Sequence, residues 1–409
     1  MEALRSDIVI AGGSYAGLTL ALALGKTLGP DVSITVIDRR HASSGQRDVR
    51  ASAIAAGPRH MLEVLGIWPL IRDQAQEILE ILLTDSPLEA GVRPVLLTYD
   101  NTLDSGEPAS SIVPNESLAA ALETAADAEP AIRRLSPAEA TGLTDNEPFI
   151  RVRLADGRSI DTSLLVAADG RRSRLREAAG IKCVGWSYDQ VGIVTEVEHE
   201  LPHKGRVIQH FLPGGPFAIL PLKRNRSCIT WSEDAARARE IRATDDVAFL
   251  AEVERRFAGR YGNLRLAGPR ASWPLEMHLA RRYVAHRFAL VGDAAHGVHP
   301  IAGQGLNLAF RDIAALTESV ADAVRIGLTP GDAGALARYE QWRRFDSGVS
   351  AATFDALNRL FSNEITLMRS AREAGLALVD RIPALKKMFV SEAAGLSGEV
   401  PRLLRGELV

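Results

Sequence analysis

Phe288-Ala-Leu-Val-Gly-Asp-Ala-Ala-His-Gly-Val-His-Pro-Ile-Ala-Gly-Gln-Gly-Leu-Asn-Leu-Ala-Phe-Arg-Asp312 is the stretch whose reading decides the fold of this 409-residue chain. Phe288 to Val291 is a short apolar run and predicts a buried strand. Gly292 and Asp293 end it with a tight turn and an exposed acid. A stiff, glycine-broken segment follows from Pro300 to Gly305. From Leu306 the pattern is helical, with Leu306, Phe310, Ile313, Leu316 and Val320 on one broad face, and Gly327 and Pro330 stop it. A strand therefore delivers an acid, a loop presents bare backbone, and a helix start faces that loop with free N–H donors and partial positive charge.

This arrangement suits a flavin. Asp293 accepts hydrogen bonds from a polyol such as a ribityl chain, and the backbone of Gly303 to Gly305 approaches a flat ring closely. The amides of the helix start stabilise negative charge on the pyrimidine edge of a reduced flavin. Gly292-Asp293 with His299-Pro300-Ile301-Ala302-Gly303-Gln304-Gly305-Leu306-Asn307-Leu308 resembles the second FAD motif of the class A flavoprotein aromatic hydroxylases. Within that group it is most similar to the ubiquinone-biosynthesis hydroxylases. The resemblance implies FAD contacts at Gly292, Asp293, Pro300, Gly303, Gln304, Gly305, Leu306 and Asn307.

Working outward, Asp7 to Ala11 is a β-rich apolar run, Gly12-Gly13-Ser14-Tyr15-Ala16-Gly17 follows, and a helical pattern reaches Leu28. Ser33 to Ile37 is a second strand ending at Asp38. This is a βαβ unit with a dinucleotide fingerprint, which nominates Gly12, Gly13, Ser14, Ala16 and Gly17 for the diphosphate and Asp38, with Arg39 beside it, for the adenosine ribose. Ser14 stands where the fingerprint has its second glycine; serine is small and keeps its N–H, so the loop is expected to survive. Residues 8–25 are an uncharged stretch of eighteen, the length of a marginal membrane span. Asp7 precedes it, a basic leader is lacking and glycines break it early, so strand, turn and helix are expected instead.

Arg50-Ala-Ser-Ala-Ile-Ala55 resembles the family pattern whose arginine lies against FAD; the alternative for Arg50 is a surface ion pair. Asn115 begins a helical run to Ala126, and the resemblance puts that helix start near the flavin. Ile150–Leu154, Asp156-Gly157 and Arg158–Ile160 read as a hairpin, because Asp-Gly favours a tight turn with positive φ. Asp169-Gly170-Arg-Arg-Ser173-Arg-Leu-Arg176 resembles the family's Asp-Gly motif, implicated in FAD and NAD(P)H binding, so Asp169 joins the cofactor candidates.

From Tyr188 to Trp231 the pattern turns to strands, with a helix from Asp245 to Phe257 and another strand near Ala271 to Leu279. Phe217, Leu220, Pro221 and Trp231 either line a substrate pocket or belong to the core. The expected fold is α/β: a discontinuous Rossmann-like FAD-binding domain (1–77, 114–185 and 285–334) with an inserted β-sheet substrate domain (186–284). Strands from 78–113 are expected to join the substrate layer, and C-terminal helices to fill 335–409.

Composition narrows the function further. A net charge of −3 argues against nucleic acid, and the two cysteines, Cys183 and Cys228, provide no disulfide framework or metal-ligand spacing. No metal is expected. The resemblance implies an FAD-dependent monooxygenase that hydroxylates a polyprenylated phenol or benzoquinol ring with O₂, through a C4a-hydroperoxyflavin, in ubiquinone biosynthesis. The reductant is NAD(P)H or a ferredoxin-type donor, and no second glycine fingerprint is present for a nicotinamide. His296 and His299 are the only candidates for proton movement, and no obligate base is assigned. A cytoplasmic protein is expected, with the apolar C-terminal region and its Arg381, Lys386 and Lys387 suited to a membrane surface or a biosynthetic complex. The alternatives are a soluble aromatic hydroxylase, a prenyl reductase, and a non-catalytic prenyl-binding protein on the same fold.

Overall fold

A computed structural model describes residues 4–40, 48–85, 88, 95–212, 214–299, 303–361 and 390–409. β1 (Leu4–Ala11), α1 (Tyr15–Leu28) and β2 (Ile34–Ile37) open the chain, followed by β3 (Ala51–Ala55), α2 (Ala56–Val64), α3 (Trp68–Ile71) and β4 (Gln76–Glu77). β5 (Glu80–Asp85), β6 (Val95–Asp100), β7 (Ser110–Pro114) and α4 (Asn115–Ala128) come next. Then follow β8 (Ile132–Leu135), β9 (Ala140–Asn146), β10 (Phe149–Leu154), β11 (Ser159–Ala167) and α5 (Arg174–Ala178). β12 (Cys183–His199), β13 (Arg206–Leu212), β14 (Gly215–Leu222), β15 (Arg226–Asp234), α6 (Ala235–Ala243), α7 (Asp246–Phe257), β16 (Leu264–Leu266) and β17 (Ala271–Ala280) form a continuous block. β18 (Val284–Ala285), β19 (Phe288–Leu290), β20 (His296–Gly297), α8 (Gly305–Arg325) and α9 (Ala333–Phe361) complete the described strands and α-helices.

The first sheet has a parallel centre in the order β8-β2-β1-β11-β19. Its strands are covered on both faces, so they are apolar without alternation: Ile8, Val9 and Ile10 are wholly buried, as are Leu164 to Ala167. α1 is buried from Gly17 through Gly25. The uncharged stretch 8–25 is therefore a core strand and a core helix. Among the described residues, no helix is long and apolar enough to cross a membrane. The Asp156-Gly157 turn joins β10 and β11 antiparallel, with Gly157 at φ +86°.

The second sheet runs β20-β17-β12-β15-β14-β13-β5-β6, antiparallel throughout except for the parallel pair β13–β5. A short third sheet, β3-β7-β4, carries the Arg50 segment. One face of the second sheet packs on α6 and α7. There Phe217 meets Trp231 and Phe257 edge to face at 5.9 and 6.2 Å, and the Arg256 guanidinium lies 3.7 Å over the Trp231 ring. α6 escapes a periodicity reading because only Ala238 and Ile241 of its nine residues are buried. At the C-terminal end, Leu403 and Leu404 are buried in the first layer's core. Arg381, Lys386 and Lys387 lie outside the described residues.

Candidate active site

The start of α8 lies at the centre of the site. Gln304 precedes it without a side-chain capping bond, and its first turn has no acid. Gly303, Gln304, Gly305 and Leu306 line a cavity of about 660 Å³, a volume typical of cofactor and ligand pockets. A Cβ added to Gly305 would meet nothing within 4 Å, so its backbone faces open space. Gly303 and Gly292 have φ values of +63° and +58°, where a glycine is favoured. Pro300 lies outside the described residues. Asn307 is turned away from the cavity: its Nδ2 donates to the Ala53 carbonyl at 2.8 Å, and its Oδ1 accepts from the Ala55 amide at 3.1 Å. It clamps α8 to β3, and so acts on the site by position.

The start of α1 forms a second edge of the floor. A Cβ on Gly12 would overlap the Ala168 carbonyl, and one on Gly17 would overlap the Gly12 carbonyl. These glycines set the closeness of loop, strand and helix. Ser14 sits in extended backbone at φ −95°, which any residue adopts, so serine replaces glycine there without strain. It has no capping bond and α1 has no acid in its first turn, which leaves the helix-start amides for an anion. Ser14 and Ala16 line the cavity. Gly13 abuts Asp38, whose carboxylate is engaged by Arg40, 2.7 Å away; Arg40 also donates to the Gly13 carbonyl at 2.9 Å. Arg39 is exposed.

Two cavity walls carry charge. Arg50 reaches Asp48 at 2.6 Å and lies 5.5 Å over the Trp273 ring, and Tyr15 donates to Asp48 at 2.8 Å. Burial and the adjoining Asp48 push the Tyr15 hydroxyl well above its usual range, so it stays a donor. Across the cavity, Arg171 stands 3.9 Å from Asp293, whose carbonyl is 2.8 Å from Nε2 of His278. Asn115, buried at the start of α4, accepts from the Ser52 hydroxyl at 2.7 Å. Arg50, Ser52, Asn115, Arg171 and Asp293 all line the cavity. Asp169 does not; its neighbours Ala168 and Gly170 do. Burial raises the Asp169 carboxyl, and its Oδ1 has no hydrogen-bond partner among the described residues.

The two histidines separate. His296 is buried against Asp312 at 2.6 Å, which assigns it a structural role. His299 is 1% exposed, and neither ring nitrogen has a hydrogen-bond partner among the described residues. Burial pushes it down to about 4, so it is neutral at pH 7. The Tyr188 ring stands edge-on to it at 5.1 Å.

The roof is the second sheet. Period-two alternation sends Ala218 and Leu220 of β14 and Thr230 of β15 to the cavity. Phe217 and Trp231 go to the α6–α7 side, and Pro221 also stays off the cavity. Of the four residues left open between pocket and core, Leu220 lines the cavity and Phe217, Pro221 and Trp231 do not. The same alternation puts Gln209 in the roof and would have found it from sequence. Tyr15, Asp48 and Trp273 have no such signal, because three separate elements bring them together.

Known proteins resemble the chain over most of its length. A family model described as FAD binding domain matches residues 5–345. Ubiquinone hydroxylase UbiL of Rhodospirillum rubrum is 42% identical over 407 residues, covering 98% of this chain and 93% of that protein. The 3-demethoxyubiquinol 3-hydroxylase of Escherichia coli is 31% identical, covering 96% of this chain and 99% of its own. Among solved structures, p-nitrophenol 4-monooxygenase PnpA from Pseudomonas putida shares the fold with a TM-score of 0.80 at 17% identity, covering 98% of this chain and 100% of that one.

Proposed function

The chain belongs to the FAD binding domain family of class A aromatic hydroxylases, and from that premise we propose that it is an FAD-dependent monooxygenase hydroxylating the ring of a polyprenylated phenol or benzoquinol in ubiquinone biosynthesis. The observation that carries the substrate class is the roof of the cavity. Among the described residues it presents Ile81, Leu83, Val207, Phe211 and Leu220 and no cation. The cations at the cavity edge are engaged: Arg50 with Asp48, and Arg171 within 4.0 Å of Asp293 and Glu276. Such a lining favours a neutral, greasy ring over a carboxylate, which would need a free arginine or lysine in the pocket.

When bound, the flavin supplies the oxygen activation that no side chain here provides. The free amides of α1 and Ser14 suit its diphosphate, and those of α8 suit its electron-rich ring edge. Asp293 suits the polyol, and Arg50 over Trp273 borders the ring side. The apolar roof keeps water from the reacting centre. His296 is committed to Asp312 and burial keeps His299 neutral at pH 7, so neither histidine is assigned a proton in the reaction. The proposed reductant is NAD(P)H or a ferredoxin-type donor. The proposed location is cytoplasmic with peripheral membrane or complex contact, since a polyprenyl chain partitions into a bilayer.

The test is the visible spectrum of the purified protein, followed by anaerobic NADH or NADPH with and without a short-chain prenylphenol, then ¹⁸O₂. Flavin bands that bleach faster with the phenol, and label in the hydroxylated product, are the expected results. Bound flavin that neither nicotinamide reduces selects the ferredoxin-type donor or a prenyl reductase. Protein that never takes up FAD overturns the reading.

A further inference from the structure

A single cross-strand row crosses the cavity side of the roof. Gln209 on β13 pairs with Leu83 on β5 and with Ala218 on β14. Ala218 pairs with Thr230 on β15, and Thr230 pairs with Val194 on β12. All five side chains line the cavity. Neighbouring strands lie about 4.8 Å apart, so Gln209 and Thr230 stand about 10 Å apart on either side of Ala218. Beyond this row the roof is aliphatic or aromatic, with Val207, Leu220 and the Tyr99 ring of β6 toward one end and Phe211 toward the other. An amide and a hydroxyl thus flank the dent above an alanine methyl. Neither side chain is tied up in a hydrogen bond among the described residues.

Resting on the reading of this cavity as the seat of a phenolic or quinol ring, we propose that Gln209 and Thr230 are the specificity-determining pair for that ring. The ring lies over Ala218, with one oxygen substituent at the Gln209 amide and a second at the Thr230 hydroxyl. The amide offers two donors and an acceptor, and the hydroxyl rotates to donate or accept, so the pair takes a phenol hydroxyl or a quinone carbonyl at either end. A carboxylate finds no cation in the row. The pair therefore selects a ring with oxygens on opposite edges over a monophenol of the same size.

The test uses FAD-loaded protein and two probes, a short-chain prenylated hydroquinone and the matching prenylated monophenol. Binding is followed anaerobically by the shift of the flavin absorption band, for wild type, Gln209→Met, Thr230→Val and the double variant. Both substitutions preserve volume, and unchanged flavin content and melting temperature report an intact fold. Loss of one neutral hydrogen bond should weaken hydroquinone binding about 5-fold in each single variant. The double variant should bind the two probes alike. The proposal is overturned if the variants bind the hydroquinone like wild type, if both probes weaken by the same factor, or if wild type binds neither. Product analysis is separate: wild type that binds the probes yet hydroxylates neither sinks the proposed reaction, and the titration still decides the pair.

Discussion

The Asp312 carboxylate lies 2.6 Å from Nε2 of His296, and both side chains are withdrawn from solvent. The same carboxylate accepts the Gly292 amide at 2.9 Å and Nε of Arg343 at 2.8 Å. One side chain of α8 therefore holds the turn that presents Asp293, the strand β20 and the helix α9. Burial works to raise the Asp312 carboxyl, but His296 and Arg343 outweigh it and hold the group below the usual carboxylate range. Arg343 is also bonded to Asp346, which pairs with Arg311.

Asp312→Ala should destabilise the protein by about 3–5 kcal/mol, because it strands a buried arginine and an amide together. Asp312→Asn keeps an acceptor for Gly292 and should lose less. Urea unfolding at neutral pH measures both, and flavin content after purification should fall in the same order.

Asn307→Ala should loosen the floor without touching the cofactor. It removes partners from the Ala53 carbonyl and the Ala55 amide, each worth about 1–3 kcal/mol when left unsatisfied. The expected result is a lower melting temperature together with weaker FAD retention on dialysis. Normal retention in a destabilised variant would show that the clamp serves stability alone.

Two glycines should separate fold from flavin. Gly305→Leu places a side chain in open space, so the protein should fold with a near-normal melting temperature yet purify without FAD. Gly12→Leu meets the Ala168 carbonyl at φ +116° and should damage folding itself. Circular dichroism melts beside absorbance at the flavin band distinguish the two.

His299 should make the protein acid-sensitive. Its ordinary value is 6.5 and burial depresses it to about 4, so the unfolded chain binds a proton that the folded one refuses. Above about pH 6.5 both states are neutral and the group has no effect. Between pH 6.5 and 4 stability falls as pH falls, by on the order of 3 kcal/mol in all. His299→Gln should flatten the slope of unfolding free energy over that window. Burial depresses His199 and His278 as well, so some acid sensitivity should remain.

Trp231→Ala should cost about 3–5 kcal/mol of stability and leave substrate affinity intact once FAD is bound, because the ring packs on the α6–α7 side. Leu220→Ala should do the reverse, raising KM for a prenylated probe with a smaller effect on unfolding. Parallel KM and urea measurements on the two variants check the assignment of the sheet's faces.

The sequence alone carried the elements whose chemistry is local. The Gly-Gly-Ser-Tyr-Ala-Gly turn between an apolar strand and a helix, the Asp-Gly hairpin at 156–157 and the Gly292–Asp293 turn before α8 are set by backbone sterics and short-range periodicity. These are properties of consecutive residues. The floor of the cavity was legible for that reason, since helix starts and glycine loops announce themselves. What only the tertiary structure decided depends on distance in space. Asn307 reads as a cofactor contact and is a clamp, because its partners Ala53 and Ala55 lie about 250 positions away in the chain and are paired to it only by packing. Phe217 and Trp231 read equally as pocket or core residues, and the strand alternation together with the α6–α7 cover sends them to the core. Arg50 and Asp48, Tyr15 and Trp273 meet because three elements converge. A β-strand's sequence separates its two faces, but only the layer that packs on each face decides which one meets the substrate.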